Sequence, residues 1–195
     1  MPDMKVTLTF TDAILGTAPG NAEVYQDFVA SKAPPGEADG EVEMLPTDEE
    51  IEKGTTVFRR TPDDKPCLLA YQIKGFFKDA CGMLRRVAET HSKKLKAYKK
   101  EIDGLIFVTP ELIPIDSDHE IDDCERPLRA QTAQGDRVAL ARSESIAAGA
   151  TITFSVSCLR PGLIPAVEEW LEYGKLRGLG QWRNSGKGRF TCAIE

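Results

Sequence analysis

Alternating apolar and polar residues predict the first strand of this chain. Val6, Leu8 and Phe10 alternate with polar residues over Lys5–Phe10, KVTLTF, which is the period of a half-buried strand. A second kind of pattern, the unbroken apolar run GLIFV at Gly104–Val108, predicts a short strand buried on both faces, ended by Pro110.

The second half of the chain repeats the alternating pattern. Arg126–Arg142 and Glu144–Leu159 are expected to form two antiparallel strands joined by a turn at Ala148-Gly149. The final short strand is expected at Arg189–Ile194, and Thr55–Arg60 has the composition of one more strand.

Helical spacing of apolar residues predicts two helices. The longer runs from Tyr71 to about Lys100, and one face carries Phe76, Ala80, Met83, Leu84, Val87, His91 and Leu95. His91 is therefore expected to be a packed core residue. The second helix spans Leu163–Leu176, with Pro165 in its first turn and an apolar face of Leu163, Val167, Trp170 and Leu171.

The order of these elements approximates βαββαβ, which is the α+β ferredoxin-like (RRM-like) sandwich. A single domain over residues 1–195 is expected, with insertions at about 11–66 and 109–128. The first insertion contains an acidic run over Glu37–Glu52, which is typical of a solvated surface or of a docking site for a basic partner.

Charge and cysteine content narrow the class of protein. The net charge of -6 over 195 residues argues against a generally basic nucleic-acid binder, so any such function depends on a local patch. The five cysteines form no C-x-x-C pair, which favours reduced thiols in a cytoplasmic protein. No apolar run is long enough to cross a bilayer, and no membrane partner is expected.

The segment Tyr173–Cys192 has the composition of an anion-binding loop. It carries Lys175, Arg177, Arg183, Lys187 and Arg189 and has no acidic residue between Lys175 and Cys192. Glycines allow positive φ and close backbone approach, and clustered amides bind phosphate. A soluble mobile loop is the alternative, although Trp182 is a costly residue to expose in a linker. The candidate site here comprises Arg177, Gly178, Gly180, Gln181, Trp182, Arg183, Asn184, Ser185, Gly186, Lys187, Gly188 and Arg189.

Two lysines at the start of the long helix complete the candidate site. Lys74 and Lys78 flank Gly75, and helix N-termini bind anions. For the lysine-rich tail of that helix, SKKLKAYKK, the favoured explanation is the helix dipole, which favours cations at a C-terminus without any ligand.

The acidic stretch Glu111–Glu125 superficially suggests a metal site. It lacks the glycine turn and ligand spacing of a calcium loop, and zinc would require more histidine or cysteine. A solvated acidic loop is the favoured interpretation, and no metal or cofactor is expected. No Ser-His-Asp, Cys-His, Walker or dinucleotide-binding signature stands in a credible context, so no catalytic residue is assigned.

Three stretches together resemble the RAMP superfamily, the RRM-like proteins that include backbone subunits of CRISPR effector complexes and repeat-processing endoribonucleases. GLGQWRNSGKGRF (Gly178–Phe190) is similar to the glycine-rich loop before the last strand, and YQIKGFFKDACGMLR (Tyr71–Arg85) is similar to the opening of the first helix. The segment Arg129–Phe154, with Arg137, Glu144, Gly149 and Thr151, resembles the central hairpin of the backbone subunits. The resemblance implies RNA bound across the sheet and loop face, often by several copies side by side.

Two departures bear on activity. The repeat-processing nucleases commonly use an early histidine, and none precedes His91. Asp12 and Asp27 are available for the early-loop aspartate with which some backbone subunits cleave RNA, but neither lies in a matching motif.

The sequence therefore favours a non-catalytic protein that binds single-stranded nucleic acid through the glycine-rich basic loop, with RNA favoured over DNA as the ligand. Self-association along the strand, or membership of a CRISPR-type complex, is expected with it. The alternative is a protein-interaction module that acts through its acidic surfaces, either as a CRISPR-complex subunit or as a phage-encoded mimic.

Overall fold

The computed structural model describes residues 3–20, 55–132 and 135–195. Side chains of residues 128–140 are not described, so the predicted role of Arg137 lies outside the described part of the chain. Asp27 and the acidic run Glu37–Glu52 also lie outside it.

The described strands and helices follow one another with short connections. The strands are β1 Asp3–Phe10, β2 Ile14–Leu15, β3 Ala18–Pro19, β4 Thr55–Val57, β5 Arg59–Arg60, β6 Pro66–Leu69, β7 Ile106–Thr109, β8 Leu112–Asp116, β9 Asp122–Thr132, β10 Gly135–Ile146, β11 Thr151–Cys158 and β12 Phe190–Ile194. The helices are α1 Ala70–Leu84, α2 Tyr98–Leu105 and α3 Ile164–Arg177.

Four antiparallel strands form the centre of the molecule in the order β12–β1–β11–β7. Val6 of β1 pairs with Phe154 of β11 on one side and with Ile194 of β12 on the other. With α1 between β1 and β7, and α3 between β11 and β12, this is the βαββαβ arrangement of a ferredoxin-like sandwich. The predicted fold class and the predicted first and last strands are confirmed.

Two further groups of strands extend this centre. β8, β6 and β5 continue the main sheet beyond the N-terminal end of β11. β10 organises a second sheet, in which it pairs along its length with β9, and near its C-terminal end with β2 and in parallel with β4. The expected strand at Thr55–Arg60 is confirmed as the short strands β4 and β5. The region expected as an insertion at 109–128 contains β8 and the start of β9.

Helices α1 and α3 cover one face of the central sheet. The alternating inward residues of β1 are almost fully buried beneath them, and Trp170 of α3 is 0% exposed. Aromatic rings join the layers: Phe76 lies 5.3 Å from Phe190, and Phe77 lies 5.5 Å from Trp170, between ring centroids. The predicted second helix and its apolar face are confirmed. Burial of these large side chains is the main force that holds helix and sheet together.

The predicted long helix over Tyr71–Lys100 is wrong beyond Leu84. α1 ends there, the chain passes Glu89 at a φ of 66°, and α2 begins only at Tyr98. His91 is exposed instead of buried, and Val87 is 51% exposed. The carboxylate of Glu169 in α3 accepts hydrogen bonds from the amides of His91 at 2.6 Å and Ser92 at 3.2 Å. This tertiary contact fixes a turn where local spacing favoured a continuous helix.

The apolar run at Gly104–Val108 is also different from expectation. Gly104 and Leu105 belong to α2, and the strand that follows has alternating burial, with Ile106 and Val108 inside and Phe107 45% exposed. β7 pairs only with β11 among the described strands, and its outward residues Phe107 and Thr109 are exposed. The prediction of a strand buried on both faces is therefore wrong.

The expected pairing of Arg126–Arg142 with Glu144–Leu159 is wrong. The first of these stretches itself forms a hairpin, in which Gly135 of β10 pairs with Thr132 of β9. β11 instead lies between β1 and β7 in the main sheet. The turn at Gly149 leads the chain from β10 in one sheet to β11 in the other. Its amide donates to the Phe10 carbonyl at 2.8 Å, which holds the turn beside the end of β1.

Candidate nucleic-acid interface

The glycine loop, which we define as residues 178–189, connects the end of α3 to β12. Its two ends lie against each other, since the amide of Leu179 donates to the carbonyl of Gly188 at 2.8 Å. The amide of Gly188 in turn donates to the carbonyl of Ala13 at 2.9 Å, which ties the loop to the segment after β1. The loop is thus a fixed part of the sheet edge and not a linker.

The glycines of this loop are required by packing within the protein. Gly178, Gly180, Gly186 and Gly188 all have positive φ, between 68° and 84°. A Cβ on Gly188 would lie 1.9 Å from the carbonyl oxygen of Leu179. The close backbone approach that the sequence suggested for a ligand is occupied here by the chain itself.

Two of the predicted phosphate-binding cations share one carboxylate. Asp79 of α1 accepts a hydrogen bond from Arg177 Nε at 2.8 Å and from Arg183 Nη1 at 2.9 Å. Arg177 also donates to the side chain of Asn184 at 2.6 Å. All three charged side chains are partly buried, with exposures between 21% and 29%. Asp79 therefore neutralises part of the positive charge of the loop and orders its first turn.

The last two cations of the loop have no such partner. Neither Lys187 nor Arg189 forms an ion pair with any residue in the described ranges. Arg189 is exposed, and a Cβ on Gly186 would lie 3.2 Å from its guanidinium carbon. The 3-10 turn Arg183–Ser185 begins at the paired Arg183 and precedes the two unpaired cations. Positive charge is thus concentrated on the second half of the loop.

Trp182 lies at the turn of the glycine loop and is 37% exposed. Its backbone has φ 55° and ψ 33°, a left-handed conformation that is rare for a bulky residue. Beneath it is Arg126 of β9, whose guanidinium carbon lies 5.5 Å from the centre of the indole ring. Arg126 Nη2 also donates to the side-chain oxygen of Gln181. The site therefore includes a residue, Arg126, that the sequence pattern did not indicate.

The open face of the central sheet differs from the loop. The outward positions of β1 and β11, both fully described, carry Asp3, Lys5, Thr7, Thr9, Thr151, Thr153, Ser155 and Ser157. These two strands present no aromatic ring to solvent, whereas RRM sheets use such rings to stack bases. The exposed rings nearby are Phe107 of β7, which pairs with the outward Ser157, and Trp182 of the glycine loop.

Lys74 and Lys78 contact other elements. Lys78 Nζ lies 2.8 Å from a carboxylate oxygen of Asp103 in α2, and Lys74 Nζ donates to the Asp103 carbonyl at 3.0 Å. Lys74 also lies over the Phe107 ring at 5.5 Å. At the helix start, the amides of Leu69 and Ala70 already donate to Gln72 Oε1 and to the Glu111 carbonyl. These two lysines thus join α1 to α2 and β7.

The lysine segment, residues 93–100, is a second exposed positive region. The lysines at its surface form no ion pair with any residue that the structure describes: Lys93, Lys94, Lys96, Lys99 and Lys100. The helix dipole does not explain them, because Lys99 and Lys100 occupy the first turn of α2, where a cation is unfavourable.

The groups that metal or thiol chemistry would need are dispersed. Within residues 3–20, 55–132 and 135–195, no set of three or more His, Cys, Asp or Glu could hold a metal ion. All five cysteines are free, and burial raises the pKa of Cys67 and Cys158 and that of Cys81 to about 11. A raised pKa keeps the thiol protonated and unreactive. No helix in the described part of the chain is long and apolar enough to span a membrane.

The fold has counterparts among CRISPR effector complexes. Over 99% of its length the chain is similar to a chain of the type III-B Cmr-beta complex bound to cognate target RNA, with 15% sequence identity and a TM-score of 0.54. It spans 59% of the length of that chain. Over its whole length it is similar to 90% of a chain of a type IV-B CRISPR complex, with 11% identity and a TM-score of 0.51.

At these identities the likeness concerns the fold, and at that level the predicted resemblance to RAMP proteins is confirmed. No family model and no curated protein matches the sequence.

Proposed function

We propose that this protein binds single-stranded nucleic acid through the glycine loop, with RNA favoured over DNA as the ligand. We propose further that it does so as a non-catalytic subunit of a CRISPR-type complex. The observation that carries the proposal is the presence, in one loop, of an exposed indole, Trp182, and of two cations that no described carboxylate neutralises, Lys187 and Arg189. Proteins that bind single strands without strict sequence preference combine such a positive surface with an aromatic stacking platform.

The fold supports the same function. Both similar chains belong to CRISPR complexes, one of them bound to target RNA. The lysine segment gives a strand a second positive surface, and the exposed carboxylates between Asp116 and Glu125 give a neighbouring copy something to contact. Packing of several copies along one strand is therefore part of the proposal.

Replacing Trp182 by alanine tests the stacking role. The change should weaken binding of labelled single-stranded RNA by about 1 to 3 kcal/mol, because one base loses its aromatic partner. Fluorescence anisotropy at low salt measures the affinity. Leu176→Ala is the matched control, since Leu176 is a 72% exposed apolar residue at the end of α3 that has no proposed contact with RNA. Equal binding by the Trp182 variant and the parent would remove stacking from the proposal.

Replacing Asp79 by asparagine tests whether the loop arginines compete between protein and RNA. Asp79 forms ion pairs with both Arg177 and Arg183, so a neutral asparagine in its place should leave both guanidiniums free to contact the strand. RNA affinity is expected to rise about threefold to tenfold, while the free energy of unfolding falls by about 1 to 2 kcal/mol. Affinity and urea denaturation of the same preparation measure the two effects. A fall in affinity by a folded variant would mean that the Asp79 contacts shape the site instead of competing with it.

If the intact protein binds neither RNA nor DNA single strands at low salt, the protein-interaction function takes the place of this one. Its surface would then be the exposed carboxylates between Asp116 and Glu125.

A further inference from the structure

Arg126 is a buried cation without a described counterion. The residue is 7% exposed, and one of its two terminal nitrogens, Nη2, donates to Gln181. The other nitrogen, Nη1, is buried and has no hydrogen-bond partner. No carboxylate within the described residues forms an ion pair with Arg126. Burial lowers the pKa of this guanidinium, but arginine stays protonated in proteins.

An unpaired buried charge is costly, and so is the conformation of the residue above it. Removing an ion from water without a partner is strongly unfavourable. Holding a bulky residue in the left-handed region, as at Trp182, adds a further cost. Both unfavourable features occur in residues that contact each other at 5.5 Å, and Trp182 belongs to the same loop as Lys187 and Arg189. Their coincidence points to a ligand that completes the site.

We propose that Arg126 and Trp182 form one nucleotide subsite, in which Arg126 Nη1 donates to a phosphodiester oxygen while the adjoining base stacks on the indole. This inference rests on the proposed function, because the phosphate belongs to the bound strand. Phosphate oxygens only accept hydrogen bonds, and the planar guanidinium fork matches their geometry. The anion supplies the counterion that the described protein lacks, and the base occupies the exposed face of Trp182.

The subsite requires a movement of the Trp182 ring. Nη1 is buried in the free protein, so a neighbouring side chain must move when the strand binds, and we assign that movement to the Trp182 ring, which lies 5.5 Å from the guanidinium carbon. Indole emission is sensitive to the loss of a neighbouring cation. The second tryptophan, Trp170, is fully buried and donates to Ser92 Oγ at 2.8 Å, so its emission is a constant background. Trp182→Phe shows which part of the signal arises at the subsite.

The decisive variant is Arg126→Gln, with Arg126→Lys beside it. R126Q should bind single-stranded RNA about tenfold more weakly, with a plot of log affinity against log salt that is flatter by about 0.7, the value for one phosphate. R126K keeps the charge but loses the fork, so it should keep the slope while binding more weakly. Arg142→Gln is the control: Arg142 lies on the neighbouring strand, is 53% exposed and pairs with Glu125 and Asp123. It should bind like the parent.

A second measurement separates failure of the subsite from failure of the proposed function. If the parent binds RNA and a folded R126Q binds with the same affinity and slope, the subsite is wrong and the function stands. If the parent does not bind RNA, the proposed function is wrong, and pyrophosphate decides the subsite. A melting temperature that rises with pyrophosphate in the parent, by less in R126K and not in R126Q, supports an anion site at Arg126. If pyrophosphate does not raise the melting temperature of the parent, the subsite is overturned. This measurement uses the parent protein, so it can be made even if R126Q does not fold.

Discussion

Replacing Gly188 by alanine is expected to lower the free energy of unfolding by about 3 to 4 kcal/mol, the largest stability effect at any glycine of the loop. Two costs combine in this variant. Gly188 has φ 68°, a conformation that costs an alanine about 1 to 2 kcal/mol. Its new Cβ would lie 1.9 Å from the Leu179 carbonyl, a backbone atom that cannot turn aside. Urea denaturation followed by circular dichroism measures the change.

Gly75→Ala is the matched control for this variant. Gly75 lies inside α1 and a Cβ there would meet nothing within 4 Å. Alanine is the better helix former, so this variant should be more stable than the parent by about 1 kcal/mol. If Gly188→Ala unfolds at the same urea concentration as the parent, the two ends of the glycine loop are not held together as described.

The central sandwich was predictable because its periodicity is local and regular. Val6, Leu8 and Phe10 alternate without interruption, and all three are at most 1% exposed. The spacing of Val167, Trp170 and Leu171 likewise identified α3, whose apolar face meets only the core. Where a segment has one buried face, the period of its apolar residues is enough to give both its type and its orientation.

The errors arose where distant contacts decide the structure. Nothing in the spacing of residues 71–100 indicates that Glu169, far along the chain, accepts hydrogen bonds from the amides of His91 and Ser92 and so holds this segment in a turn. Alternation in 126–159 correctly indicated strands, but a period of two does not say which sheet a strand joins. β10 and β11 are consecutive in the chain and lie in different sheets.

The residue composition of the candidate site was predictable from the sequence, but the contacts that its cations make with the rest of the protein were not. The loop, its indole and its cations stand together in the sequence. In contrast, the Asp79 contacts join residues 98 and 104 positions apart, and the Arg126 contact with Gln181 spans 55 positions. Such contacts divide the loop cations into paired and unpaired members, and only the fold brings them together.

Replacing Lys187 and Arg189 together by alanine is expected to weaken binding of single-stranded RNA by at least about a hundredfold at low salt. Each removed cation loses a charge-assisted contact with a phosphate of roughly 1.5 to 3 kcal/mol, and neither has a described carboxylate that would offset the change. The two side chains are partly exposed or exposed, so the fold should remain intact. Fluorescence anisotropy with a labelled oligonucleotide measures the loss.

The control for the double variant is Lys175→Ala with Arg160→Ala. It removes the same charge from side chains that are about half exposed, and each of the two is paired with a carboxylate, Glu172 or Glu101. Since both lie outside the glycine loop, RNA affinity should change by less than about threefold. Comparable losses in both double variants would mean that total charge, and not the loop, determines binding.

The most direct test of the central claim is the salt dependence of single-stranded RNA binding by the parent and the Lys187/Arg189 variant. Each phosphate neutralised on a single strand contributes about 0.7 to the slope of log affinity against log salt. The slope of the double variant should therefore be smaller by about 1.4, while the Lys175/Arg160 control keeps the parent value. The assignment of the glycine loop as a phosphate site would be contradicted if the parent bound no strand at low salt. It would also be contradicted if the Lys187/Arg189 variant had the same slope as the parent.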